Sequence, residues 1–177
     1  MPIIKTPAES RYVGIDPGKG GGIAIIIGRD VECFVMPVST LDLWKCIDRL
    51  ECVRHAYIEQ VHSMPRDGVR SAFTFGEGYG RLQMALTAAG IPYSLISPQG
   101  WMKELGIPPR AKEEPKNLLK ERLRATAQRL YPKTPIWDGT LGRQRAVCDA
   151  ILIAEYGRRL HTGELKCRKS PRPRRDR

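Results

Sequence analysis

The segment Val13-Gly14-Ile15-Asp16-Pro17-Gly18-Lys19-Gly20-Gly21-Gly22-Ile23-Ala24 constrains the chain more than any other. A short apolar strand delivers an aspartate into a glycine-rich turn, and a second apolar strand leaves it. Pro17 fixes its own φ and pushes Asp16 into an extended conformation. The glycines allow another backbone to approach without obstruction. A dinucleotide fingerprint would place such glycines ahead of a helix. Here Ile23-Ala24-Ile25-Ile26-Ile27 follows, an apolar, mostly β-branched run that reads as strand. No Gly-Lys-Ser/Thr is present, so Lys19 is not a P-loop lysine. Two readings remain: an incidental aspartate in a tight hairpin, or a carboxylate presented beside open backbone for a metal and a phosphate.

The remaining chain supplies the elements around that aspartate. Strands are predicted over 12–16, 22–27 and 31–36, antiparallel in sequence, with Gly28-Arg29-Asp30 as a hairpin turn and Pro37 as the stop. Ser39 or Thr40 caps a helix running to about residue 53, with Leu41, Trp44, Ile47 and Leu50 on one stripe. The next strand, 56–61, carries Glu59. A helical crossover makes it parallel to the first strand, so Glu59 is expected to emerge beside Asp16. A helix with glycines at 76, 78 and 80 follows, a pattern suited to close packing against a neighbouring surface. A fifth strand is expected over 93–96, and a short helix with Trp101 over 98–105. The long helix 112–130 should turn Leu118, Leu119, Leu123, Ala127 and Leu130 inward, with Lys116, Lys120, Arg124 and Arg129 largely outward. A loop with Asp138 leads to a last helix, 143–160, holding Asp149 among apolar neighbours. The expected fold is α/β: a mixed five-stranded sheet, its first three strands antiparallel, with helices on both faces.

Charge is unevenly spread. The net charge is +11, and the last twenty residues hold +7 of it. Such a basic, proline-rich end does not fold alone and adds salt-sensitive attraction to nucleic acid. The organisation expected is a folded domain over 1–160 and a disordered basic tail over 161–177. No run approaches the length of a membrane span and no secretory h-region opens the chain, so a cytoplasmic protein is expected. The five cysteines form no C-x-x-C pair, which argues against a disulfide framework or structural zinc. Cys33, Cys46, Cys52 and Cys148 read as buried, reduced thiols.

Asp16, Glu59 and Asp149 are therefore the candidate metal ligands and catalytic residues. Hard divalent cations prefer oxygen donors, and carboxylates from separate elements can hold them. Two such ions roughly 3.5–4 Å apart can activate a water and stabilise the leaving oxygen of a phosphodiester. His62 could act on the leaving group, touch DNA, or be an ordinary loop residue. Lys112 and Lys116, four apart on one helix face, could meet a phosphate, although solvated lysines explain them as well. Arg143 and Arg145 would bring positive charge beside Asp149. Phe73 and Phe75 could wedge between bases, pack in the core, or contact a second subunit.

With those residues in place, the sequence resembles the RuvC-type Holliday junction resolvases of the ribonuclease H-like superfamily, especially the phage and organellar branch. The matching pieces are Gly14-Ile15-Asp16-Pro17-Gly18 with Gly22, Tyr57-Ile58-Glu59-Gln60-Val61, and Cys148-Asp149-Ala150-Ile151-Leu152-Ile153-Ala154-Glu155-Tyr156-Gly157. Ser71-Ala72-Phe73-Thr74-Phe75-Gly76, Ile91-Pro92-Tyr93 and Pro98-Gln99-Gly100-Trp101 also look like that branch. The resemblance implies a homodimeric, Mg²⁺- or Mn²⁺-dependent endonuclease that resolves four-way DNA junctions by paired nicks, in a bacterial cell or encoded by a phage. It implies that Asp16, Glu59 and Asp149 hold the metals, two ions per site, and that Phe73 or Phe75 reaches the junction centre. Family members usually carry a fourth carboxylate on or just ahead of the last helix. Here Gln144, Arg145 and Ala146 stand in that region, and Asp138 is the candidate substitute. Three alternatives stay open: a nuclease for flaps, forks or RNA–DNA hybrids, a non-catalytic junction binder, and a sugar-kinase-like ATPase domain.

Overall fold

A computed structural model describes residues 10–61 and 68–165, except for the side chain of Lys116. Three antiparallel strands open it: β1 (Arg11–Asp16), β2 (Gly22–Ile27) and β3 (Asp30–Val35). Helix α1 (Thr40–Asp48), strand β4 (Val53–Glu59), helix α2 (Val69–Ala88) and strand β5 (Tyr93–Ile96) follow. The chain continues through α3 (Pro98–Glu104), α4 (Lys116–Leu130), a 3-10 turn (Pro135–Asp138) and α5 (Leu141–His161).

The sheet order is β3-β2-β1-β4-β5, with β1 central. β1 pairs antiparallel to β2 and parallel to β4, and β4 is parallel to β5. The expected mixed sheet, with helices on both faces, is what forms. Period-two alternation sorts the strand residues between two cores. Val13, Ile15, Ile23, Ile25 and Ile58 pack with Leu43 and Ile47 of α1 and Leu82 and Leu86 of α2. Ala24, Ile26 and Tyr57 pack on the other face with Trp101, Leu123, Ala127 and the apolar residues 147, 148 and 150–154 of α5. A strand buried on both faces explains why β2 is apolar at five successive positions rather than at every second one.

Several element boundaries differ from the sequence expectation. α1 stops at Asp48 rather than near residue 53, and Cys52 takes a left-handed backbone (φ 56°) immediately before β4. Cys52 is thereby exposed, not buried, while Cys46 and Cys148 are buried and Cys33 partly so. The buried face of α1 runs through Leu43, Cys46 and Ile47, and Leu41 is exposed. Helix α4 begins at Lys116, after Pro115, not at Lys112. Proline disfavours helical backbone in the residue before it, so 112–114 cannot join the helix. Lys112 and Lys116 therefore do not share a helix face. Leu118 is 49% exposed, so the buried seam of α4 is Leu123 and Ala127, flanked by Leu119 and Leu130.

Candidate active site

Strand register brings two of the carboxylates together. Asp16 ends β1 and Glu59 ends β4, at the same edge of two paired parallel strands. By alternation Asp16 shares its face with Gly14, and Glu59 shares its face with Tyr57, which lies in the core packed by α5. Both acids therefore belong to the α3–α4–α5 side of the sheet.

Gly14 decides how close α5 comes. A Cβ there would lie 2.1 Å from the Ala150 carbonyl oxygen and 2.2 Å from the Ala154 nitrogen. The helix backbone rests directly on β1, and this contact sets Asp149, one residue before Ala150, above Asp16. The backbone that the glycines were expected to admit is, at Gly14, that of α5. Gly21 folds back on Asp16 itself, since a Cβ there would meet the Asp16 carbonyl oxygen at 2.1 Å.

The electrostatics follow from crowding three acids in a partly enclosed place. Burial, then the Asp149 and Glu59 charges, push the Asp16 carboxyl up to about 8. Glu59 is also raised, by burial and by Asp149, against the opposing pull of its hydrogen bond from Trp101. That bond runs from Trp101 Nε1 to Glu59 Oε1 at 2.9 Å and fixes the carboxylate from α3. Burial raises Asp149 as well, opposed by Cys148, whose Sγ lies 3.3 Å from Asp149 Oδ1, and by Lys120. As placed, no group of three or more His, Cys, Asp or Glu side chains among the described residues converges to hold a metal ion. The acids interact through their charge, across a gap.

Lys120 is the residue that sequence reasoning missed. It is solvent-exposed on α4, as an outward register demands, yet its charge acts on both Asp16 and Asp149. The packing of α4 on α5 accounts for this. Glu121 pairs with Arg145 and, ten residues on, Tyr131 with Glu155, so the two helices run in the same direction and Lys120 lies near the turns of α5 that carry Asp149. A helix face is outward only with respect to its own core, and periodicity within α4 carries no information about α5.

The other candidates separate. Arg145 is committed to Glu121, which Arg124 also holds, and so is not a free cation. Arg143 is exposed on the first turns of α5, and Lys112 is exposed ahead of α4. Asp138 ends the 3-10 turn, whose neighbouring carbonyls at Trp137 and Gly139 accept from Gln144. It is not among the groups whose charge shifts Asp16, Glu59 or Asp149. Phe73 is 75% exposed, which rules out a core role, whereas Phe75 is half-buried and stacks on Tyr79 at 6.1 Å. His62 and Cys167 lie outside the described residues.

The sheet order, the acidic strand ends and the helix laid across them define a ribonuclease H-like α/β fold. Solved structures narrow it. The chain is similar to Thermus thermophilus RuvC, both in a structure described as "T. thermophilus RuvC in complex with Holliday junction substrate" and in a second described as "Thermus thermophilus RuvC structure". The first match has a TM-score of 0.61 at 15% identity and covers 87% of this chain and 96% of that one. The second has a TM-score of 0.58 at 15% identity and covers 86% and 96%. No protein-family model matches the sequence, and no curated protein matches it significantly. The fold is thus of the RuvC type, shared through structure at low sequence identity.

Proposed function

We propose that this protein is a structure-selective endonuclease that cuts four-way DNA junctions by paired, metal-dependent hydrolysis on opposing strands. The observation that carries the reading is the charge coupling of Asp16 with Glu59 and Asp149 where β1 and β4 end beneath α5. Their excess negative charge is opposed by Lys120, on a fold shared with a protein solved on a Holliday junction.

The donor set fits Mg²⁺ or Mn²⁺: it is all oxygen and hard, and its mutual repulsion is relieved by a cation. Asp16, Glu59 and Asp149 would hold the ions between the ends of β1 and β4 and helix α5, with Trp101 fixing the Glu59 carboxylate. Ions bound there supply an activated water and stabilisation of the leaving oxygen. The chain's own residues do the rest. Trp101 and the Gly14 contact hold the acids in register before substrate arrives, and Lys120 adds a positive charge at the rim where a phosphate would enter. We assign the metals to three carboxylates, with Asp138 outside the set.

The partners follow. On α2, Phe73, Gly76, Gly80 and Met84 form one exposed stripe, and a Cβ at Gly76 or Gly80 would meet nothing within 4 Å. A bare, partly apolar helix face suits the seam of a homodimer, which would give each strand of a symmetric junction its own site. Phe73, at the start of that stripe, would reach the junction centre. The folded domain would run through the end of α5 at His161, past the boundary at residue 160 expected from sequence, and the basic stretch beyond it would add sequence-independent attraction to DNA. Among the described residues no helix is long and apolar enough to cross a membrane. Action in a bacterial cell interior, from a host or phage gene, fits that reading.

One observation favours a second reading. Because the acids do not converge as placed, a junction-binding protein that never cuts is the competitor. End-labelled immobile and mobile four-way junctions, with matched duplex and Mg²⁺ or Mn²⁺, decide between them. Symmetric nicks on opposing strands, absent in Asp16→Asn, are the expected result. Tight binding without nicks in either metal would overturn the enzyme, and equal cutting of duplex or hybrid would remove the junction from the reading.

A further inference from the structure

Helix α5 places Arg145 and Asp149 four residues apart, so the two share one face of the helix. Opposite charges at that spacing pair readily along a helix, and partial burial of the acid strengthens the attraction. The guanidinium nevertheless turns to α4. Arg145 Nε donates to Glu121 Oε1 at 3.1 Å, and its Nη2 reaches the same oxygen. Arg145 is not among the groups whose charge acts on Asp149, whereas Lys120, next to Glu121 in the chain, is.

Glu121 is itself held in place to receive it. The second carboxylate oxygen, Oε2, accepts from Arg124 Nε at 3.0 Å, one turn further along α4. Arg124 Nη1 in turn reaches Gln144 Oε1 at 3.3 Å. The Gln144 amide donates to the Trp137 and Gly139 carbonyls at 2.8 and 2.9 Å, which ties down the residue just before Arg145. Two arginines from different helices therefore converge on one carboxylate. Both members of the Glu121–Arg145 pair are partly exposed, and exposed ion pairs add little to stability. What the pair changes is the charge beside Asp149.

We propose that Glu121 is a positioning residue for the metal site: it holds the Arg145 guanidinium on α4 and so keeps Asp149 open to a divalent cation. Without that hold, Arg145 would fold back along α5 onto Asp149 and supply the counter-charge that the cation otherwise brings. The crowded acids would then be partly relieved before any ion arrived, and binding the ion would gain less. Glu121 acts through Arg145 alone and touches neither the metal nor the DNA. This inference rests on the metal reading above.

The test is a double-mutant cycle on the full chain, with Mn²⁺ binding measured by calorimetry without DNA and thermal melts run beside it. Glu121→Gln should weaken Mn²⁺ binding about 10-fold, because it frees Arg145. Arg145→Gln breaks the same pair but removes the cation, so its Mn²⁺ affinity should equal or exceed the parent's. The double variant should match the parent, a rescue that a packing defect between α4 and α5 would not give. In nicking assays the Mg²⁺ concentration for half-maximal rate should rise in Glu121→Gln and return in the double variant. Equal weakening of Mn²⁺ binding in the two single variants would overturn the inference, since the pair would then serve packing alone. So would parent-like binding in Glu121→Gln, or a double variant without rescue. A parent that follows the cycle but never nicks a junction would overturn the enzyme and leave the inference standing. A parent that binds no Mn²⁺ would overturn both.

Discussion

Helix α5 carries two carboxylates in opposite electrostatic situations. Glu155 is 2% exposed and completely answered by its own chain. It accepts from Tyr131 Oη at 2.6 Å, from Arg158 Nε at 2.7 Å and from Arg159 Nε at 2.6 Å. Burial alone would raise its carboxyl, but those hydrogen bonds outweigh it and hold the group below the usual range. Asp149 sits beside two further acids, is raised by burial, and has one exposed lysine acting on it. The fold gives Glu155 three hydrogen-bonding partners and gives Asp149 an exposed lysine, an imbalance that the proposed metal site would use. Buried charge without a partner is costly, and the deficit at Asp149 is what the proposed cation would relieve.

The comparison breaks first on Asp16→Asn. Removing the acid central to the cluster should reduce junction nicking by about 10³-fold or more while relieving repulsion in the metal-free fold. Nicking assays beside thermal melts in EDTA check both halves. A variant that loses activity only because it melts earlier would contradict the comparison. Glu155→Gln should do the reverse. With the carboxylate gone, Tyr131, Arg158 and Arg159 lose their shared buried acceptor and the two arginines keep only the exposed Glu164, so urea unfolding should show a loss of about 1–3 kcal/mol. Well below the melting temperature, its metal dependence should match the parent's.

A pH series sharpens the contrast. Asp16 is raised from 3.8 to about 8, so between those values the native state binds more protons than the unfolded chain. Stability of the metal-free protein should therefore fall as pH rises through that window. The Asp16 contribution is fully present below the unfolded value and lost through the folded one. Melting temperatures in EDTA from pH 5 to pH 8 should decline, and Asp16→Asn should flatten the decline. Added Mg²⁺ should reverse it at the alkaline end, since metal and proton compete for the same oxygens.

Which parts of this were legible in the sequence follows from the range of the interactions involved. The Asp16 turn, the antiparallel opening and the parallel return of β4 are written in local signals: Pro17, the glycines, the β-branched run 23–27 and the helical crossover. Strand β5 was bounded to the residue by turn signals on either side. The boundaries that failed were set elsewhere. Pro115 ends the segment before α4, and the left-handed Cys52 cuts α1 short ahead of a strand that pairs with β1. Within the site, strand alternation carried Glu59 to its place, but the hydrogen bond from Trp101 and the reach of Lys120 depend on α3 and α4 packing against other elements. The commitment of Arg145 to Glu121 is likewise a contact between residues twenty-four apart, with no local trace.

Lys120 gives the finest division between the two carboxylate situations, because it is the cation the chain itself offers to the acidic end. If it is there to help hold a phosphate, Lys120→Gln should slow nicking about tenfold while Lys120→Arg keeps most of the rate. Rate alone would not separate this from a surface residue that steers DNA. Metal binding without DNA does. A lysine close to the carboxylates repels a divalent ion, so its removal should tighten Mn²⁺ binding about 3- to 10-fold, read by calorimetry or by the Mn²⁺ paramagnetic signal. Slower cutting together with tighter metal binding is a pair of effects that neither a steering lysine nor a folding defect produces. Unchanged Mn²⁺ affinity in Lys120→Gln would return the residue to the surface. The negative charge at Asp149 would then be left wholly to the metal.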